Sequence, residues 1–139
     1  MKILGMDLGT KTLGLAISDS LGLIASPYKV IRYEDINNLA DEVIDIVHKE
    51  NIDKLVLGLP INMDNSQGFA SERSINFKKL LETKTEKDII LIDERLSTVE
   101  AENILISADV SRKKRKKVID EIAACIILDT YLRRCNNGK

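Results

Sequence analysis

Three carboxylates in this chain of 139 residues stand where a charge needs a reason to be: Asp7, Glu94 and Asp120. Asp7 interrupts the run Ile3-Leu4-Gly5-Met6-Asp7-Leu8-Gly9, whose apolar residues read as a strand buried on both faces. Glu94 comes just after Ile89-Ile90-Leu91-Ile92-Asp93, and Asp120 stands at the entrance of the apolar stretch Ile122 to Leu128. A buried charge without a partner costs several kcal/mol or loses its proton balance, so each needs a cation, a strong hydrogen-bond set or a task. Carboxylates that converge repel one another unless a hard cation sits among them. Mg²⁺ and Mn²⁺ accept such oxygen ligands and keep waters for reaction. A pair of these ions about 4 Å apart can activate a water and stabilise the leaving oxygen of a phosphodiester. Each residue also has a plain structural use: a strand-end turn Asp, a Glu ahead of a helix cap, and an Asp in a first helical turn.

The chemistry is further bounded by what the chain lacks. It has one histidine, His48, on the polar side of a predicted helix, and two cysteines, Cys125 and Cys135, without metal spacing. Zinc sites and Ser-His or Cys-His triads are therefore excluded, and carboxylates and lysines must carry any catalysis. The thiols fit a reducing, cytoplasmic setting. There is no Trp and aromatics make up 4%, which argues against a base-stacking platform. The net charge is -1, so contact with nucleic acid requires a local patch. Arg112, Lys113, Lys114, Arg115, Lys116 and Lys117 form one. Such a block is commonly just a solvated segment. Here it leads into Asp120, which favours contact with a phosphate backbone. Lys11 and Arg95 are further candidates for contact near the scissile position.

The elements that must position these groups can be read in order. Strand 3–9 is followed by the Gly9-Thr10-Lys11 turn and a second strand, Thr12 to Ser18, so close that the two must form a hairpin. A third strand is expected over Leu23 to Ile31, with Pro27 placing it at an edge or a bulge. Asp35 can cap a helix carrying Ile36, Leu39, Ala40, Val43, Ile44 and Val47 inward. Lys54 to Gly58 is a short strand after a crossover and so parallel to the first. The loop Leu59 to Gly68 leaves its carboxyl end, where open α/β sheets place ligands. A helix over 70–81 with Ile75, Phe77 and Leu80 inward precedes the buried strand Ile89 to Ile92. Ser97 and Glu100 form a capping box for a helix ending near Ser107, and a last helix is predicted from Val118 to Arg134. In that helix Asp120 and Glu121 would complement the dipole of the first turn.

The length suits one domain, taken as 1–135, with 136–139 as a disordered tail. No apolar run approaches a membrane span, and no partner membrane is expected.

Gly5-Met6-Asp7-Leu8-Gly9-Thr10-Lys11 with Gly14-Leu15-Ala16-Ile17-Ser18-Asp19 resembles the opening of the YqgF family of Holliday-junction-resolvase-like proteins. Gly58-Leu59-Pro60-Ile61-Asn62-Met63-Asp64, Asp93-Glu94-Arg95-Leu96-Ser97-Thr98 and Asp120-Glu121-Ile122-Ala123-Ala124 agree with it in order, and the match runs from Met1 to about Leu132. The resemblance implies a ribonuclease H-like α/β fold: a five-stranded mixed sheet, three antiparallel strands and then two parallel, flanked by helices. It implies a Mg²⁺- or Mn²⁺-dependent nuclease whose catalytic and metal-holding acids map onto Asp7, Glu94 and Asp120. Its substrate would be structured RNA, namely the 5′ end of the small-subunit ribosomal RNA precursor, or branched DNA. The protein would be cytoplasmic and a monomer or homodimer, and cutting two DNA strands symmetrically would need the dimer. Asn65 departs from the family's Gly, although Asn tolerates a left-handed turn. Glu121 beside Asp120 is a second acid at that place, and the motif favours Asp120. A non-catalytic RNA-binding assembly factor on the same fold is the alternative outside catalysis.

Overall fold

The computed structural model describes residues 1–60, 68–93 and 112–137, with 112–121 described by backbone. Five strands form one sheet: β1 (Ile3–Leu8), β2 (Thr12–Ser18), β3 (Ala25–Arg32), β4 (Lys54–Leu59) and β5 (Asp88–Asp93). Their spatial order is β3-β2-β1-β4-β5. β1 and β2 pair antiparallel, as do β2 and β3, while β4 runs parallel to both β1 and β5. The mixed sheet read from the resemblance is thus the one observed. Helices α1 (Ile36–Lys49), α2 (Phe69–Glu82) and α3 (Arg112–Asn137) complete the described elements.

Pro27 proves to be at an edge and beside a bulge together. β3 is the outer strand, and Leu15 pairs with Lys29 while Ala16 pairs with Pro27, leaving Tyr28 as the extra residue. The strand begins at Ala25 rather than Leu23 because Asp19 captures the intervening amides. Its Oδ1 accepts from the N–H groups of Leu23 (2.7 Å) and Ile24 (3.1 Å), which closes a turn in place of ladder bonds. Asp35 caps α1 as expected, accepting from the Asn37 N–H at 2.8 Å.

The sheet has two covered faces. Leu4, Met6, Leu8, Leu13, Leu15, Leu55 and Leu57 join Leu39, Val43 and Val47 of α1 and Phe77 and Leu81 of α2 in one core. On the opposite face Ile3, Ala16, Val56 and Ile92 pack against Ala124, Ile127, Leu128, Tyr131 and Leu132 of α3. Two inward assignments are corrected. In α1 Ile46 is buried, whereas Ile36 and Ile44 are only partly so. In α2 the buried face is Ser71, Ser74, Phe77 and Leu81, with Ile75 half-buried. The Ser71 hydroxyl donates to the carbonyl of Pro60, the residue after β4.

The last helix differs most from the sequence reading. It starts at Arg112, not Val118, and ends at Asn137, two residues into the segment expected to be a tail. The basic run is therefore helical rather than a lead-in loop, and no acid lies in the first turn. Lys and Arg are good helix formers, and the buried apolar stripe farther on anchors the whole element.

Candidate active site

Asp7 is half-buried near the carboxyl end of β1. By strand alternation it shares a face with Ile3 and Gly5, the face that α3 covers. Across the sheet it pairs with Gly14, so β2 places no side chain beside it. β1, β4 and β5 are mutually parallel, and their carboxyl ends lie along one edge of the sheet. Asp93 ends β5 on that edge.

The direction of α3 follows from two contacts. Tyr131 lies at the level of Ile3, because Lys54, which pairs with Ile3, donates to the Tyr131 hydroxyl at 3.2 Å. Farther along β1, Gly5 meets Ala124 and Leu128; a Cβ on Gly5 would come within 2.7 Å of the Leu128 Cβ. The helix thus runs antiparallel to β1. Two strand residues advance about 6.7 Å, which a helix covers in roughly four and a half residues. Counting back from the Ala124–Leu128 contact, the helical turn holding Asp120 and Glu121 comes level with Asp7.

This placement removes one explanation for Asp120. It stands about two turns inside α3. The macrodipole acts chiefly on the first turn, so the electrostatics of a helix N-terminus no longer account for an acid there. Of the other assigned residues, Lys11 is exposed in the β1–β2 turn. Arg112, Lys113, Lys114, Arg115, Lys116 and Lys117 occupy the first two turns of α3. Glu94 and Arg95 lie outside the described residues, as do the helix expected over 97–107 and most of the loop Leu59 to Gly68, Asn65 included. Among the described residues there is no group of three His, Cys, Asp or Glu side chains that could hold a metal; of the three assigned acids only the Asp7 side chain belongs to that set.

A residue absent from the sequence reading also shapes this edge. The Tyr33 hydroxyl donates to the Gly9 carbonyl at 2.5 Å, and the Tyr33 N–H donates to the Lys11 carbonyl at 2.9 Å. Only the register points to it: Arg32 pairs with Thr12, so the residue that follows β3 comes beside Lys11. Burial raises the Tyr33 pKa above its ordinary value, against a smaller opposing effect of Arg73.

Comparison with known proteins adds an independent line. A family model described as Holliday junction resolvase (RuvX) matches residues 1–134. A Staphylococcus aureus protein named "Putative pre-16S rRNA nuclease" is 49% identical over 134 residues, covering 94% of each chain. Among solved structures, Thermus thermophilus RuvC aligns with a TM-score of 0.63 at 13% identity, covering 99% of this chain and 97% of that one. The fowlpox virus Holliday junction resolvase aligns with a TM-score of 0.55 at 19% identity, covering 96% of this chain and 99% of that one. At such identities these two speak for the fold: the ribonuclease H-like sheet of the resolvases. Together with the sheet order and the placement of Asp7, the match over residues 1–134 shows that the chain belongs to the RuvX family.

Proposed function

We propose that this protein is a divalent-metal-dependent endonuclease that hydrolyses phosphodiester bonds in a structured ribosomal RNA precursor, at the 5′ side of the small-subunit RNA. The carrying observation is that Asp7 and the Asp120 turn of α3 come together on one face of the sheet, at the edge where β5 also ends. The named activity of the 49%-identical relative supports the substrate. Asp7, Glu94 and Asp120 offer only carboxylate oxygens, the donor set that Mg²⁺ or Mn²⁺ takes, and Gly14 opposite Asp7 adds no side chain from β2. A bound divalent ion would supply Lewis acidity at the phosphodiester and make a water acidic enough to attack near neutral pH.

The chain's own residues do the rest. Asp7 is held by a strand that is hydrogen-bonded on both sides, so its carboxylate is fixed by a rigid element. Lys11 at the adjoining turn and the basic residues 112–117 neutralise the phosphate backbone, with Arg95 in reserve near Glu94. Their contribution is largely independent of base sequence and falls steeply with salt. No helix among the described residues is long and apolar enough to cross a membrane, and the two free thiols suit the cytoplasm, where we place the protein.

The test is Asp7→Asn assayed on a ribosomal precursor with Mg²⁺. Losing a partner that merely supports a ligand costs 10–100-fold in metal affinity or activity, so losing the ligand itself should cost about a hundredfold or more. Undiminished cleavage by the folded variant would sink the assignment; loss of cleavage with full complementation of a deletion strain would leave a non-catalytic assembly factor. The family model's own description favours a second reading, resolution of four-way DNA junctions. Parallel assays on RNA and on four-way DNA, with sedimentation to look for a dimer, separate the two.

A further inference from the structure

We propose that Tyr33 is a positioning residue, a latch that holds the β1–β2 turn so that Asp7 and Lys11 are presented in fixed register. The inference rests on the nuclease reading above. One residue grips the turn at two points: its hydroxyl donates to the Gly9 carbonyl and its backbone N–H to the Lys11 carbonyl. The turn closes on itself only once in the same stretch, through the Gly9 N–H donating to the Thr12 carbonyl at 2.7 Å. Gly9 is the link that most needs restraint. It lies two residues beyond Asp7, and glycine gives a chain its widest choice of backbone angles. A hydrogen bond at the Gly9 carbonyl fixes the plane of the peptide joining Gly9 to Thr10, because that unit is rigid.

The latch has a firm base. The Tyr33 ring packs against the core formed by the leucine face of the sheet and by α1 and α2, so the hydroxyl is aimed from an immobile side chain. The same burial keeps the phenol protonated, and hence a donor, throughout the neutral and mildly alkaline range in which a metal-assisted hydrolysis is run. The two grips also divide the work. The hydroxyl controls the peptide nearest Asp7, whereas the backbone N–H controls the residue assigned to phosphate contact. Removal of the hydroxyl alone should thus disturb the chemistry more than the binding. Misplacement of a reacting group by about 1 Å can cost a hundredfold in rate, so partial loosening of one peptide should cost about tenfold.

Tyr33→Phe keeps the ring and the N–H and deletes only the donor. The expected result is a folded protein whose kcat falls about tenfold, with KM for the RNA within about twofold of wild type. The amides of Gly9 and Tyr33, the two backbone donors that hold the turn, should exchange with solvent about tenfold faster, while those of β4 stay unchanged. A kcat within twofold of wild type overturns the proposal. So does a lowered melting temperature with unchanged kcat per folded molecule, since that marks a merely structural residue. If the wild-type protein cleaves no RNA, the functional reading fails, and unchanged exchange at Gly9 and Tyr33 would then overturn the latch on its own terms.

Discussion

Gly5→Ala is the sharpest probe of how the site is built. The added Cβ would lie 2.7 Å from the Leu128 Cβ and 3.0 Å from the Ala124 carbonyl oxygen. Carbon atoms pack at about 3.5–4.0 Å, so α3 must retreat from β1 by roughly 1 Å. Overpacking of this kind costs about 1–3 kcal/mol. Replacing a strand glycine returns about 0.5–1 kcal/mol by restricting the unfolded chain. The net loss is therefore about 0–2.5 kcal/mol, a fall of up to several degrees in melting temperature for a domain of this size. The functional effect should be larger than the stability effect. The same retreat moves the Asp120 turn away from Asp7, and about 1 Å there is worth up to a hundredfold in kcat.

The assay is thermal unfolding followed by cleavage at a temperature where the variant is fully folded. A second variant tests the geometry itself. Leu128→Ala deletes the outer side chain but retains the Cβ that makes the clash, so adding it to Gly5→Ala should restore nothing. Rescue by the double variant, or a Gly5→Ala protein with wild-type melting and wild-type kcat, would refute the contact and the positioning argument with it.

Two further outcomes follow from ionisable groups. N–H donors from Ile24 and Leu23 hold the Asp19 carboxyl below its ordinary pKa, so its turn-closing contribution is complete above that ordinary pKa and disappears as pH falls through the lower folded one. Thermal melts from pH 6 down to about pH 2 should show Asp19→Ala losing its deficit against wild type in acid; a constant deficit would refute the assignment. Burial, aided by Asp129, raises the Cys125 thiol pKa, and Cys135 is exposed. Iodoacetamide at pH 7.5 should alkylate Cys135 first, with Cys125 slower on the order of tenfold, as peptide mass spectrometry would read; equal rates would contradict the packing of α3.

The parts of the fold written in local pattern were legible before any coordinates. The hairpin from Ile3 to Ser18, the Asp35 cap and the crossover to a parallel β4 all follow from alternation, capping chemistry and handedness. The errors fall where tertiary context outweighs local signals. A run of like charges reads as a helix breaker or a loop, yet residues 112–117 are helical because they extend an element whose later turns are anchored on the sheet. Ser71 and Ser74 look like surface residues, yet both are buried, Ser71 against the Pro60 carbonyl. Asp7 could be singled out from its own strand. Its relation to α3 could not, because that depends on Gly5 admitting Leu128, a contact between the two ends of the chain. Tyr33 required a register count that begins only once β2 and β3 are paired.

The docking of α3 also sets an order of events. The strands β1, β2 and β3 adjoin one another in sequence and can pair as soon as they are made. The helix that covers their second face is the last element, and it packs across β1, β2, β3 and β4. Contacts that close so long a loop form late and carry the largest entropic cost. Until the helix docks, Ile3, Ala16, Val56 and Ile92 therefore keep their apolar face uncovered. The proposed cleaving centre, which draws on both β1 and α3, cannot assemble before that helix has docked on the sheet.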